Sequence, residues 1–217
     1  MNADEKYREF SMKGIPSERP FIGVRIPKIR EIVSRVPIER FDEFLAVEPV
    51  AIEEVLARGM IIARMDYSEM VSAFDSQVEL IDDWCTCDTF CAGIRKTVAK
   101  HREEFYDLKI RGLVESRREF STRVGLVLLL GYVSKEWLQV IFETVELVAS
   151  REEYYVRMAV AWLVAECLIK FPDETFSYLQ VSKLPAWTYN KAISKICDSY
   201  RVDGEMKDIL RGMRKTV

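Results

Sequence analysis

The stretches STRVGLVLLLGYV (121–133) and YYVRMAVAWLVAECLI (154–169) decide the fold of this sequence. Both are long enough for a helix, and both are apolar except for a few positions near their start. Arg123 and Arg157 occupy equivalent early positions and lie 34 residues apart, and Asp88 precedes Arg123 by 35 residues. A spacing of this size indicates repeated helix pairs of the HEAT-like kind.

Helix-starting residues recur along the rest of the chain, and no stretch alternates between apolar and polar residues as strands do. Ser116 with Glu119, and Ser150 with Glu153, have the spacing of a capping box, which predicts a helix start at each. Thr86 or Asp88 is expected to cap a helix that runs through Val98. Other predicted starts lie at Pro27, Pro37, Asp66, Ser134, Pro172, Pro185 and Asp203.

These signals predict an all-α fold of about twelve or thirteen helices joined by short turns. One amphipathic pair cannot bury its apolar stripe alone, so pairs stack on one another. We therefore expect a right-handed α-solenoid (an α-α superhelix) of about six stacked HEAT-like helix pairs with a concave groove. No low-complexity linker interrupts the array, which predicts a single domain over residues 1–217. An irregular helical bundle is the alternative.

The composition narrows the possible functions. The net charge of −3 argues against general coating of nucleic acid, but it does not exclude DNA binding by a local basic face. The single histidine, His101, argues against histidine-rich metal sites and triad hydrolysis. The polar start, MNADEKYREF (1–10), and the five cysteines predict a cytoplasmic protein with free thiols. The longest dense apolar run, 124–133, is about half a membrane span, so we expect no membrane segment.

The segment LIDDWCTCDTFCAGI (80–94) contains the strongest candidates for chemistry, Trp84 and Asp88. We expect Asp88 at a helix start, where exposed backbone N–H groups favour the ionised carboxylate. A carboxylate beside an aromatic face suits a cationic group. The alternative is that Asp88 is only a helix cap and Trp84 only packs. Arg123 lies one repeat later and Trp162 another repeat later. Because stacked repeats bring such positions to the same face, these two residues favour a functional role for the pair.

Three cysteines, Cys85, Cys87 and Cys91, lie in the same segment. Their spacing is not that of a standard zinc site, so we interpret them as small buried thiols and expect no metal. A zinc site completed by Cys167, Cys197 or His101 is the less favoured alternative.

Four motifs together resemble the HEAT-like-repeat DNA alkylation repair glycosylases of the AlkD type. The resemblance covers most of the chain. The motif IDDWCTCDTF is the most specific of the four. The motifs are FIGVRIPKIREI (21–32), IDDWCTCDTF (81–90), STRVGLVLLL (121–130) and EEYYVRMAVAWLVAE (152–166).

The resemblance implies a catalytic carboxylate at Asp88, aromatic walls at Trp84 and Trp162, and a DNA-backbone contact at Arg123. The implied reaction is hydrolysis of the N-glycosidic bond of cationic N3- or N7-alkylpurines in duplex DNA, without a metal or cofactor. We expect a monomer with no obligate protein partner. The alternative is a non-catalytic HEAT-like solenoid that binds unusual DNA structures or a protein partner.

Basic residues other than Arg123 are expected to add DNA contacts, unless they only form a solvated surface of mixed charge. The chain departs from the family pattern in two places: Ala165 stands where the family often has an arginine, and Gly131 where we expected a lysine. About twenty residues precede the first motif, so we expect a shorter N-terminal region than is usual in the family. The further DNA-binding candidates are Arg95, Lys96, Arg157 and Lys191.

Overall fold

The computed structural model describes residues 3–216, and every regular element within that range is helical. The predicted all-α fold is therefore confirmed, while the number of stacked pairs and the handedness of a solenoid stay predictions. The chain divides after Glu103 into two compact units, which we describe one at a time. Within residues 3–216, no helix is both long and apolar enough to cross a membrane.

The first unit is organised around α4, which packs against α2, α5 and α6. Val55, Ile61 and Ile62 on α4 are fully covered by these neighbours. Gly59 allows the close approach, because a Cβ atom there would lie 3.1 Å from the Gln77 amide and 3.2 Å from the Phe90 ring. The helices of this unit are α1 (Glu5–Gly14), α2 (Ile26–Ser34), α3 (Phe41–Leu45), α4 (Ile52–Ile62), α5 (Tyr67–Leu80) and α6 (Trp84–Val98).

The N-terminal segment folds as α1, a helix that the sequence analysis did not predict. The Asp4 side chain caps it by accepting a hydrogen bond from the Tyr7 backbone N–H at 3.1 Å. The turn that follows is held by the Glu53 carboxylate, which accepts from the backbone N–H groups of residues 22, 23 and 24 at 3.0, 2.7 and 3.2 Å. Gly23 adopts a φ of 92°, which favours glycine.

The second unit begins within a continuous helical run. In this run α7 (Arg102–Phe105) spans the point of division, and a π-turn (Tyr106–Ile110) leads into α8 (Arg111–Val114). The later helices of the described part are α9 (Glu119–Leu129), α10 (Leu138–Leu147), α11 (Tyr154–Lys170), α12 (Pro172–Val181), α13 (Ala186–Cys197) and α14 (Gly204–Gly212).

The core of the second unit is built on α11, which packs closely against both α9 and α13. Because it has neighbours on several sides, α11 buries residues around most of its circumference and has no wide polar face. This explains why the sequence 154–169 is apolar with so few interruptions. Its most completely buried side chains are Val156, Val160, Ala161, Leu163, Val164, Cys167 and Leu168.

Several predicted helix starts are confirmed. Asp66 caps α5 by accepting from the Glu69 N–H at 3.0 Å, and Asp203 caps α14 by accepting from the Met206 N–H at 2.8 Å. Pro27 lies in the first turn of α2, Pro172 opens α12, and Pro185 directly precedes α13.

The two predicted capping boxes are wrong. Glu119 does not fold back onto its own helix start; its carboxylate accepts from the Tyr155 backbone N–H of α11 at 2.7 Å. Glu153 pairs with Arg151 at 2.6 Å. In both cases another group binds the glutamate carboxylate, and the residue that directly precedes α9 or α11 makes no side-chain cap.

Candidate functional site

The start of α6 is fixed by Asp83, a residue that the sequence analysis overlooked. Its carboxylate caps the helix by accepting from the backbone N–H groups of Cys85 and Thr86 at 2.6 and 2.9 Å, and from the Thr86 hydroxyl at 2.7 Å. Burial raises the pKa of Asp83, and these hydrogen bonds oppose that rise. The expectation that Thr86 or Asp88 caps α6 is therefore wrong.

Asp88 lies in the second turn of α6, not at its start, and its side chain is half-buried. The helix-start N–H groups that were expected to favour its ionised form are bound by Asp83 instead. Asp88 follows Trp84 by one helical turn, so the two residues share a face of α6. The structure thus keeps the predicted pair together, but for a different local reason.

Trp84 is the first residue of α6 and remains 37% exposed. Its indole Nε1 donates a hydrogen bond to the backbone carbonyl of Gly14, at the end of α1, at 2.9 Å. The Ser17 hydroxyl also donates to the Asp82 carboxylate at 2.9 Å. These contacts fasten the end of α1 beside the candidate site and fix one edge of the Trp84 ring.

The thiols near this site are buried. Burial raises the pKa of Cys85 to about 12, and the charges of Asp83 and Asp88 add to the rise. Cys87 and Cys91 are also buried. The raised pKa keeps the Cys85 thiol protonated, and the burial of all three agrees with interpreting these cysteines as small packing residues.

Arg95 and Lys96 are exposed in the last turns of α6. Lys96 borders a cavity of about 340 Å³ together with Lys100 and with His101, whose ring stacks on Tyr67 at 3.8 Å between centroids. This cavity lies at the negative end of the α6 dipole, which attracts lysines without any ligand. We therefore assign no separate site to it.

In the second unit, Arg123 is only 5% exposed. Its Nη1 donates to the Tyr155 backbone carbonyl at 3.0 Å, and its Cζ lies 5.8 Å from the centre of the Tyr155 ring. Arg123 thus supports the first turn of α11. The contact with a DNA phosphate that the resemblance implies for this residue stays a prediction.

Arg157 and Lys191 lie close to one aromatic residue, Trp187. The Arg157 Cζ is 4.4 Å from the centre of the Trp187 ring, and Lys191 follows Trp187 by one turn of α13. The ring of Tyr154 meets that of Trp187 edge-on at 5.8 Å. The sequence offered Arg157 and Lys191 only as separate cations, because nothing in their spacing shows that they share a tryptophan.

The second unit also contains the second candidate tryptophan and the two positions that depart from the family pattern. Trp162 is half-buried in the middle of α11. Ala165 is buried on the same helix, and Gly131 is half-buried after α9. The candidates are thus divided: Trp84, Asp88, Arg95 and Lys96 belong to the first unit, and Arg123, Arg157, Trp162 and Lys191 to the second.

The described residues define an all-helical protein with a carboxylate and a fixed, partly exposed indole on one helix face. A family model described as DNA alkylation repair enzyme matches residues 1–196 of this chain. The chain therefore belongs to the DNA alkylation repair enzyme family, and the membership expected from its motifs is confirmed. A comparison with curated proteins found no match.

Proposed function

We propose that this protein is a monofunctional DNA glycosylase that removes N3- and N7-alkylated purines from duplex DNA. The observation that carries the proposal is the pair on α6: a half-buried Asp88 one turn after a Trp84 whose ring is fixed by Gly14. Membership of the DNA alkylation repair enzyme family supports the same class of substrate.

The chemistry of the substrate explains why a small set of residues is enough to cleave the glycosidic bond. Alkylation at N3 or N7 makes the purine cationic and therefore a good leaving group. Cleavage of the glycosidic bond leaves positive charge on the sugar, which the ionised Asp88 stabilises electrostatically. The same carboxylate orients or deprotonates the attacking water. Trp84 and Trp162 contribute aromatic faces that favour the cationic sugar, and no metal or cofactor enters the scheme.

The proposal keeps the right-handed solenoid of about six HEAT-like helix pairs, with a concave groove that takes the duplex. Arg95, Lys96, Arg157 and Lys191 are assigned to the DNA backbone, and Arg123 supports the start of α11. We propose a cytoplasmic monomer that acts without an obligate protein partner.

The deciding experiment measures release of free base from a duplex that contains 7-methylguanine or 3-methyladenine. We expect wild type to release the base and Asp88→Asn to slow release by about 100-fold or more, because it loses the charge that stabilises the sugar cation. Asp42→Asn is the matched control, since Asp42 is an exposed carboxylate of the same unit. It should behave as wild type.

Three results would count against the proposal or a part of it. If wild type releases base no faster than the protein-free reaction, even at high protein concentration, glycosylase activity is excluded. DNA binding without base release would favour the alternative, a non-catalytic solenoid. Equal release by wild type and Asp88→Asn would instead remove Asp88 from the mechanism.

A further inference from the structure

The starts of α11 and α13 bring two cations and two aromatic rings together in the second unit. The Arg157 guanidinium covers the Trp187 ring at 4.4 Å, and the Tyr154 ring meets Trp187 edge-on. Lys191 lies one turn further along α13 on the side of Trp187. We name these four residues the Trp187 cluster.

The charge of Arg157 is not balanced within the described residues. Its side chain makes no ion pair or hydrogen bond among residues 3–216, and its buried Nε atom has no partner there. Of the two nearest acids along the chain, Glu153 pairs with Arg151, and Glu152 is exposed to solvent. A half-buried guanidinium without a counter-charge favours binding of an anion.

The position of Arg157 on its helix strengthens this argument. Arg157 is the fourth residue of α11, at the positive end of the helix dipole, where a cation is disfavoured and an anion is stabilised. Nearby, α13 begins at Ala186 without a side-chain cap. Packing on Trp187 explains the orientation of the guanidinium but leaves its charge unmatched.

The rings indicate what accompanies the anion. Tyr154 is 48% exposed, so part of its ring is accessible to a ligand beside the cations. Bases inside a duplex are already stacked on their neighbours, so an aromatic side chain stacks most readily on a base that is outside the double helix. One unpaired nucleotide fits this arrangement, because its phosphate can bind the cations while its base stacks on the exposed aromatic ring.

We propose that the Trp187 cluster binds a single unpaired nucleotide of DNA, with its phosphate on Arg157 and Lys191 and its base on Tyr154. The inference rests on the proposed DNA-binding function and adds a preference for DNA with an unpaired base. It does not depend on base release, because Asp88 and Trp84 belong to the other unit.

The test compares binding of two unmodified probes by fluorescence anisotropy: a short, fully paired duplex, and the same duplex with one extra unpaired thymidine. Wild type should bind the second probe at least about fivefold more tightly, as expected for one stacked base. Tyr154→Ala should abolish this preference, whereas Tyr154→Phe should keep it. Tyr200→Ala is the matched control, because Tyr200 is a fully exposed tyrosine of the same unit. It should bind as wild type does.

The phosphate contact has a separate readout. Arg157→Ala should weaken binding of both probes, and thermal melting of each variant will show whether the fold is retained. Equal affinity of wild type for the two probes, or a preference that survives Tyr154→Ala in a folded protein, would overturn the inference. If Arg157→Ala weakens both probes but Tyr154→Ala weakens neither, the cluster is a duplex phosphate contact, and the unpaired nucleotide is excluded. The base-release assay tests Asp88 separately, so none of these outcomes decides whether the protein is a glycosylase.

Discussion

Asp83 and Asp88, five residues apart on the same helix, have different roles because of their surroundings. Asp83 is completely buried and surrounded by N–H and hydroxyl donors, so it is committed to starting α6. Asp88 is one turn further along and half-buried, so solvent or a ligand can reach it. An acid near a tryptophan could be recognised from sequence, but not which acid would cap the helix. Local spacing allowed Thr86 or Asp88, and only the folded chain shows that Asp83 fills this role.

The pair of Arg151 and Glu153 predicts a pH dependence of stability. The Arg151 guanidinium holds the pKa of Glu153 down to about 2, from an ordinary value of 4.5. The folded state therefore binds this proton less readily than the unfolded chain, so the contribution to stability is present above pH 4.5 and is lost as the pH falls towards 2. We expect Glu153→Gln to lower the free energy of unfolding at neutral pH, and the difference from wild type to shrink through this range.

Denaturant unfolding at a series of pH values measures this difference. Glu152→Gln, which removes the exposed neighbouring carboxylate, is the control and should change stability by less than about 0.5 kcal/mol. If the difference in the free energy of unfolding between wild type and Glu153→Gln stays constant down to pH 2, the pair does not stabilise the fold in this way.

At the scale of helices, the sequence predicted a cap correctly where one residue is enough and wrongly where another partner competes for the carboxylate. Asp66, Asp203 and the prolines are local signals, and the helices begin beside them. The box of Ser116 with Glu119 fails because the Glu119 carboxylate caps α11 instead, 36 residues further along the chain. Capping-box spacing does not include such tertiary partners, so the sequence located this helix start but not the contacts of its glutamate.

Helix packing makes Gly125 of α9 a position where alanine is expected to destabilise the protein. Alanine normally favours a helix over glycine by about 1 kcal/mol. Here its Cβ would lie 2.9 Å from a Val114 methyl group and 3.3 Å from the Val114 backbone nitrogen, so α8 and α9 would have to separate. We expect Gly125→Ala to lower the free energy of unfolding by about 1–2 kcal/mol, as overpacking does.

Gly112 provides the matched control on α8 of the same unit, because a Cβ there meets nothing within 4 Å. Gly112→Ala should leave the protein as stable as wild type or raise its stability by up to about 1 kcal/mol. Chemical denaturation of both variants gives the comparison. A Gly125→Ala variant that is stabilised as much as Gly112→Ala would mean that α8 and α9 are not in close contact at this point.

For the whole molecule, helical class and family were readable from sequence, because apolar periodicity and four motifs extend over most of the chain. The division into two units after Glu103 was not predicted, since no linker composition marks it. The burial of Arg123 could not be predicted either. An arginine early in an apolar helix gives the same sequence pattern whether its side chain faces a phosphate or the Tyr155 carbonyl. The pattern therefore located the candidate residues but not their contacts.

A protein with a net charge of −3 binds DNA only if a few cations act locally, and this sets the salt dependence that we expect. Each phosphate contact contributes about 0.9 to the slope of log affinity against log salt concentration for a duplex. We therefore predict that Arg157→Ala reduces the slope by about 0.9. Arg211→Ala should leave it unchanged, because Arg211 is already paired with Asp208 at 2.5 Å. Titration of the fully paired duplex at several salt concentrations measures both slopes. If both variants reduce the slope equally, binding follows total charge, and the second unit has no preferred site for DNA phosphate at Arg157.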